Sequence, residues 1–381
     1  MSKELERHVW NLGKCLGCGA CVSACSRGVL RFAQDAHPSH RVTERKVGLS
    51  AHRPDPCWGC EQLCVKVCPK MNSLPEGRMV SISSVRPSLT SKSSGHSMYG
   101  DQVVDVINHI LVAALESEFI DGAIVTDVDA WIWDPQPRVV TSVKEIYETA
   151  DRKVIWAPTL TALSEAVYEK GLKRIAIVGT PCTMQAARLL MESEAQGLEA
   201  LRRSIRVLIG RFCGGIARKE LVRELVERDM AISPTNIATM DRSTKDKSLV
   251  ITLRDGNVRE IPLASTQKYL RDGCARCTDY LAEAADLSIG DLGSRHGYAT
   301  VVTWNDAGEN LLTRSAQTGQ LEITKRVDIE ALQNAKRNKS RRARAEQLDE
   351  ELLLMLEGLT ESGSKAEAIK RLALTKQGGR A

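Results

Sequence analysis

The sequence predicts a three-part chain of α+β and α/β class: a small cysteine-rich module, a larger α/β domain with a mixed sheet, and a helical tail. Three observations predict it. Eight of the twelve cysteines fall between Cys15 and Cys68. Apolar runs alternate with amphipathic segments from about residue 98 to 325, the pattern of strands covered by helices. A charged segment with helical apolar spacing closes the chain. The boundaries fall at 1–78, 79–328 and 329–381.

Composition limits the function classes. Of 381 residues, 43% are hydrophobic and 27% charged, which describes an ordinary globular protein. No run approaches the ~18 apolar residues of a membrane span. The longest, Val103–Leu115, is interrupted by Asp105, Asn108 and His109, as in an amphipathic helix. The N-terminus is charged and lacks a signal-peptide core. A cytoplasmic protein without direct membrane insertion is expected, any membrane association being peripheral and through a partner. In that reducing compartment cysteines serve as ligands rather than disulfides.

The first module carries Cys15-x-x-Cys18-x-x-Cys21-x-x-x-Cys25 and Cys57-x-x-Cys60-x-x-x-Cys64-x-x-x-Cys68-Pro69. Three closely spaced thiolates cap three irons of a cubane, and the fourth comes from the other cassette. The module is therefore read as ferredoxin-like with two [4Fe–4S] clusters. Cys15, Cys18, Cys21 and Cys68 hold one; Cys57, Cys60, Cys64 and Cys25 hold the other. Gly17 and Gly19 suit a loop whose amides approach the sulfides. Ser26 replaces the usual proline after Cys25, and one extra residue separates Cys60 from Cys64, but no ligand is lost. Structural zinc, the competing reading, needs no triple at two-residue spacing.

The polar stretch Ser81–Ser97 reads as a linker or cofactor-facing loop. Gln102–Glu118 then has helical spacing, and Asp121–Thr126 is a buried strand. Leu160–Lys170 is a helix, Arg174–Pro181 a strand and turn, and Met184–Met191 a helix. Ser204–Phe212 is a strand, Lys219–Asp229 a helix, and Ser248–Leu253 with Val258–Leu263 a hairpin turning at Asp255-Gly256. Asp286–Gly290 and Thr300–Trp304 add strands. The alternation favours a largely parallel sheet, with antiparallel pairing from the hairpin.

The remaining cysteines are Cys182, Cys213, Cys274 and Cys277. The first two follow strands, at the edge where open α/β sheets bind ligands. Three segments supplying one, one and two thiolates suffice for a third four-iron cluster. Read singly, Cys182 and Cys213 are also explained as small buried apolar side chains.

The segments Phe119-Ile-Asp-Gly-Ala-Ile-Val125, Gly179-Thr-Pro-Cys-Thr-Met-Gln-Ala-Ala-Arg188, Phe212-Cys-Gly214, Cys274-Ala-Arg-Cys-Thr-Asp279 and Ala285-Asp-Leu-Ser-Ile-Gly-Asp291-Leu-Gly293 occur in fixed order. With them the chain resembles the coenzyme F420 hydrogenase/dehydrogenase beta subunits over roughly residues 80–320, plus the ferredoxin-like N-terminus that several members carry. The resemblance implies an α/β flavin-binding domain holding FAD and a cluster on Cys182, Cys213, Cys274 and Cys277. It also implies an oxidoreductase that exchanges a hydride with coenzyme F420 and passes single electrons through three [4Fe–4S] clusters. A flavin converts between two-electron and one-electron carriers, so it must stand between deazaflavin and clusters. Implied partners are other subunits of a hydrogenase, formate dehydrogenase, F420H2 dehydrogenase or heterodisulfide reductase complex. A ferredoxin-dependent reductase of the same fold, as in chlorophyll-type reduction, and an electron wire without flavin are the alternatives.

Where members start a helix with paired glycines, this chain reads Ser94-Gly-His-Ser-Met-Tyr-Gly100. Ser94, Gly95 and Gly100 remain candidate flavin contacts, and His96 is read as solvated. Lys153 stands near a lysine-bearing element of the family but in altered surroundings. Gly179, Thr180, Pro181 and Gln185 form a strand-to-helix turn whose amides suit a phosphate or ring oxygen; Asp291 completes the set. No Gly-x-Gly-x-x-Gly occurs, so a Rossmann NAD site is not supported. In the tail, Lys336, Arg337, Lys339, Arg341, Arg342 and Arg344 precede an apolar stripe of Leu348, Leu352, Leu353, Leu356 and Leu359. The helix is read either as a docking element for an acidic or membrane-bound partner or as a surface helix packing on its own domain. Lacking interleaved aromatics, it does not read as a nucleic-acid site.

Overall fold

The computed structural model describes residues 3–32, 42–44, 60–88, 102–129, 131–149, 154–243 and 246–361. Its strands are β1 (Leu30–Phe32), β2 (Val42–Glu44), β3 (Ser81–Pro87), β4 (Gly122–Asp129), β5 (Asp134–Val140), β6 (Ile175–Gly179) and β7 (Ile205–Arg211). They continue with β8 (Ile237–Ser243), β9 (Ser248–Leu253), β10 (Val258–Pro262), β11 (Leu287–Gly290), β12 (Ala299–Thr303) and β13 (Leu321–Thr324). The helices that position the site are α1 (Ala20–Ser23), α2 (Leu63–Lys66), α3 (Gln102–Glu116), α4 (Pro181–Glu192), α5 (Asp272–Ala275), α6 (Asp306–Gln317) and α7 (Ile329–Glu361).

An eight-stranded sheet in the order β13-β3-β12-β11-β7-β6-β4-β5 forms the frame. Only its centre is parallel: β4 with β6, β6 with β7, and β7 with β11. The expected mixed sheet is found, with fewer parallel pairs than the alternation favours. Helical crossovers enforce parallel pairing only between the central strands, whereas β5 returns from β4 by a tight hairpin. Pro135 and Pro137 lie on β5, an edge position where a missing N–H is tolerated.

The reading of Ser81–Ser97 as a linker is corrected where it is described. Ser81–Pro87 is β3, paired on both sides by β12 and β13. Its polar residues are strand-compatible because their hydroxyls find cross-strand partners. Ser81 Oγ lies 2.9 Å from Thr303 Oγ1, and Ser84 Oγ donates to Ser294 Oγ at 2.8 Å. Ser84 and Val85 are fully enclosed.

Period-two alternation divides the sheet between two cores. Ala123, Val125, Ala176, Val178, Val207 and Ile209 pack against α3 on one face. Ile124, Ile175, Ile177 and Leu208 pack on the other against Met184, Ala187 and Leu190 of α4. Ala20 and Ala24 around α1, with Leu63 and Val67 around α2, belong to that second core. The cysteine-rich module thus borrows apolar support from the larger domain. The expected hairpin forms as β9 and β10, but with β8 it makes a separate three-stranded sheet. That sheet closes over Leu221, Val222 and Val226 of the helix Leu221–Asp229. Among the described residues, no helix is long and apolar enough to cross a membrane.

Candidate iron–sulfur centres and the adjoining cavity

The first cassette wraps an enclosure lined by Cys15, Cys18, Cys21 and Cys68 together with Leu5, Val9, Trp10 and Phe32. Gly17 and Gly19 turn the loop at φ of +72° and +90°. A Cβ at Gly17 would strike the Trp156 indole nitrogen and the Arg271 guanidinium, so this loop is locked against the larger domain. Burial pushes the thiols of Cys18 and Cys21 far above their ordinary range, and neighbouring sulfurs add to it. Burial also raises Cys15, against the opposing Arg271 charge, and takes Cys68 to about 11. An enclosure that so disfavours four bare thiolates suits them to irons that neutralise their charge. Cys64 is buried with Leu5, Val9, Val29 and Leu30, and Cys25 packs on the same group. Cys60 is half-buried; Cys57 lies outside the described residues. Among the described residues, no three His, Cys, Asp or Glu side chains close on one point as a single metal ion requires.

The sheet assembles the third set. Parallel pairing of β6 and β7 puts Gly179 opposite Gly210, so the segments leaving both strands emerge side by side. Cys182 is the second residue of α4, Cys213 follows β7, Cys274 lies on α5 and Cys277 just beyond it. Burial pushes the Cys182 thiol up to about 12; the Thr180 hydroxyl, 3.1 Å from its Sγ, opposes this, and Cys274, Cys277 and Cys213 reinforce it. Cys274 is likewise raised by burial first and by Cys213 next. Three segments distant in sequence thus meet within mutual electrostatic range.

The two groups adjoin. Cys182 Sγ lies 3.9 Å from the Leu16 carbonyl oxygen, and its charge is felt at Cys18. Arg271, fully buried, donates from Nη2 to the Cys15 carbonyl at 3.2 Å and stacks 4.3 Å from the Trp156 ring centroid. Trp156 donates to the Gly17 carbonyl at 2.9 Å. On the far side, Lys339 of α7 donates to the carbonyls of Cys213 at 2.7 Å and Asp279 at 2.5 Å. Burial pulls its ammonium down, but the surrounding Cys277, Cys213 and Cys274 hold it well above the ordinary lysine range.

Cys213 also forms part of the wall of a cavity of about 450 Å³, whose lining includes Thr180, Arg211, Arg242, Asp291 and His296. Of the expected flavin contacts, Thr180 and Asp291 therefore face one space. Gly179 ends β6 and Pro181 opens α4. Gln185 instead donates to Asp279 Oδ2 at 3.0 Å. Ser94, Gly95, Gly100 and Lys153 lie outside the described residues; Gln102 and Val154, which follow those segments, line the cavity. Arg211, Arg242 and His296 escaped the sequence reading because nothing local marks them. Lys339 was visible only as one residue of a basic run.

Fold and site define an α/β protein with an iron–sulfur module packed beside α4 and the segments that leave its central strands. Residues 14–72 match the model of the 4Fe-4S dicluster domain. Residues 102–164 match the N-terminal model, and residues 172–329 the C-terminal model, of the family described as coenzyme F420 hydrogenase/dehydrogenase, beta subunit. A coenzyme F420 hydrogenase subunit beta of Methanococcus voltae is 31% identical over 57% of this chain and 75% of its own. The chain belongs to the coenzyme F420 hydrogenase/dehydrogenase beta-subunit family. An uncharacterized protein of Methanocaldococcus jannaschii is 29% identical over 90% of this chain and 98% of its own length. A chain of the F420-reducing [NiFe] hydrogenase complex from Methanosarcina barkeri superposes with a TM-score of 0.64 at 25% identity, over 71% of this chain and 91% of that one.

Proposed function

We propose that the chain is an electron-transferring subunit that exchanges a hydride between coenzyme F420 and FAD and carries single electrons to or from a partner redox subunit. The observation that carries this reading is the continuity from cavity to third cysteine set to first cassette, with Cys213 common to the first two.

Three [4Fe–4S] clusters are assigned: on Cys182, Cys213, Cys274 and Cys277; on Cys15, Cys18, Cys21 and Cys68; and on Cys25, Cys57, Cys60 and Cys64. The buried thiols and the enclosure around the first cassette fit such groups. The cavity of about 450 Å³ has room for a flavin ring, with Thr180 and Asp291 as candidate contacts. When bound, FAD would supply the step between two-electron and one-electron chemistry. The chain's own part is to exclude water, fix the carriers and hold their order. Arg211 and Arg242 give the cavity cationic groups suited to an anionic cofactor or substrate.

Anaerobic purification with its partners should yield about twelve irons and about one FAD per chain, following the four-iron stoichiometry of each cysteine set. Reduced F420 should bleach the flavin, with turnover when a one-electron acceptor is present. Eight irons would remove the third cluster; a loaded protein inert to reduced F420 would remove the substrate assignment.

A further inference from the structure

Helix α7 begins at Ile329, the residue where the match to the beta-subunit family ends. Its basic residues are not spread uniformly toward solvent. Lys336, Lys339 and Arg342 recur every three positions and share one face. Lys336 pairs with Glu283 at 2.6 Å, and Arg342 donates to the Gly214 carbonyl at 2.8 Å. Between them Lys339 is 5% exposed, and its ammonium donates to Cys213 and Asp279, two carbonyls on the loops that present Cys213 and Cys277. A full positive charge buried there is costly unless a negative group stands nearby. Asp279 offers one, its carboxylate oriented by Gln185 and the Ala282 amide, and the sulfurs of Cys277, Cys213 and Cys274 add to it.

We propose that Lys339 is a positioning residue that raises the reduction potential of the cluster on Cys182, Cys213, Cys274 and Cys277. The inference rests on the third cluster assigned above. A cluster gains one negative charge on reduction, and a fixed cation in a dry surround stabilises that form more than the oxidised one. Lys339 acts through the backbones of Cys213 and Asp279 without being a ligand. Lys339 binds the loops of Cys213 and Asp279, whereas the first cassette is held by Arg271 and Trp156, so the effect falls on the third cluster more than on the first. The helix appended to the family domain thus makes the cluster beside the cavity a better electron acceptor, favouring flow from cavity to clusters.

The test is an anaerobic redox titration of the full chain followed by electron paramagnetic resonance, with iron counted first. Eight irons in the native chain would defeat the third-cluster reading itself; about twelve allow the test of Lys339. In Lys339→Gln, which removes the charge but keeps a donor, the ratio of reduced to oxidised third cluster at a fixed poise should fall about tenfold, equivalent to about 59 mV for a one-electron couple. Lys339→Arg should stay close to the native value, and both N-terminal clusters should shift less than the third. An unchanged third potential in Lys339→Gln overturns the proposal. So does an equal shift in the Gln and Arg chains, which would make fit rather than charge the cause. If Lys339→Gln loses four irons, Lys339→Met, which keeps the apolar stem and removes the charge, replaces it, and an unmoved third potential there overturns the proposal.

Discussion

The first cassette and the third cysteine set hold the same kind of side chain by opposite means. Cys15, Cys18 and Cys21 are gathered by one loop whose two left-handed glycines shape it, with only Cys68 arriving from a distance. Cys182, Cys213 and the Cys274–Cys277 pair come from three separate segments, and the first two stand side by side because β6 and β7 run parallel with Gly179 beside Gly210. The first group is made by local geometry. The second is made by the sheet. A site of the first kind depends on its own loop surviving, whereas one of the second persists as a scaffold even when its ligands change.

Replacing one ligand in each group should expose that difference most strongly. Cys18→Ser and Cys277→Ser should each leave about eight irons. The module around Cys18 has only a small core of its own around Leu5, Val9 and Leu30, so losing the cluster should destabilise it by several kcal/mol. Its amide exchange over residues 3–32 should accelerate markedly. In Cys277→Ser the sheet core through Ile177, Val178, Leu208 and Ile209 has no share in the ligands. Exchange protection of β6 and β7 should therefore stay near native. Equal loss of protection in both chains would break the distinction.

A smaller effect is expected at the joint between the groups. Gly273, on α5, packs so closely that a Cβ would lie 2.5 Å from the Cys15 carbonyl oxygen. Gly273→Ala should cost about 1–3 kcal/mol in thermal or denaturant unfolding, because backbone rather than a flexible side chain must give way. Electron transfer between the third cluster and the first cassette should slow in the same variant. Native stability together with native transfer would mean that the joint is looser than its packing implies.

The two groups also differed in how far the sequence revealed them. Spacing alone indicated the cassettes, because proximity along the chain is proximity in the loop. The strands under the third set were legible as the apolar runs Ile175–Gly179 and Ile205–Arg211, and the rule that ligands gather at strand ends drew attention to Cys182 and Cys213. Nothing in sequence spacing joins these to Cys274. Strand β3 was illegible for a different reason: Ser81, Ser83 and Ser84 look like a loop until Thr303 and Ser294 supply partners across the sheet. Trp156, Arg271 and Lys339 carry no motif at all. Their importance lies in which backbone carbonyls they reach, and that is decided only by tertiary packing.

The smallest effect should come one turn from Lys339, on the same helix face. Lys336 pairs with Glu283 at 2.6 Å, but its side chain is 41% exposed, so solvent screens the pair. Lys336→Met should cost about 0.2–1 kcal/mol, at the upper end because Glu283 is only 12% exposed and loses its counter-ion. Both Lys336→Met and Lys339→Gln remove one positive charge from α7, yet only Lys339 reaches the carbonyl of a cysteine in the third set. The ratio of reduced to oxidised third cluster at fixed poise should then change less than about twofold in Lys336→Met, since a screened charge acts weakly at a distance. A shift matching that of Lys339→Gln would assign the effect to the summed charge of the helix instead of to one buried ammonium. The third set would then be tuned by the surface of the appended helix, in contrast to the first cassette, where the contacting groups are Arg271 and Trp156.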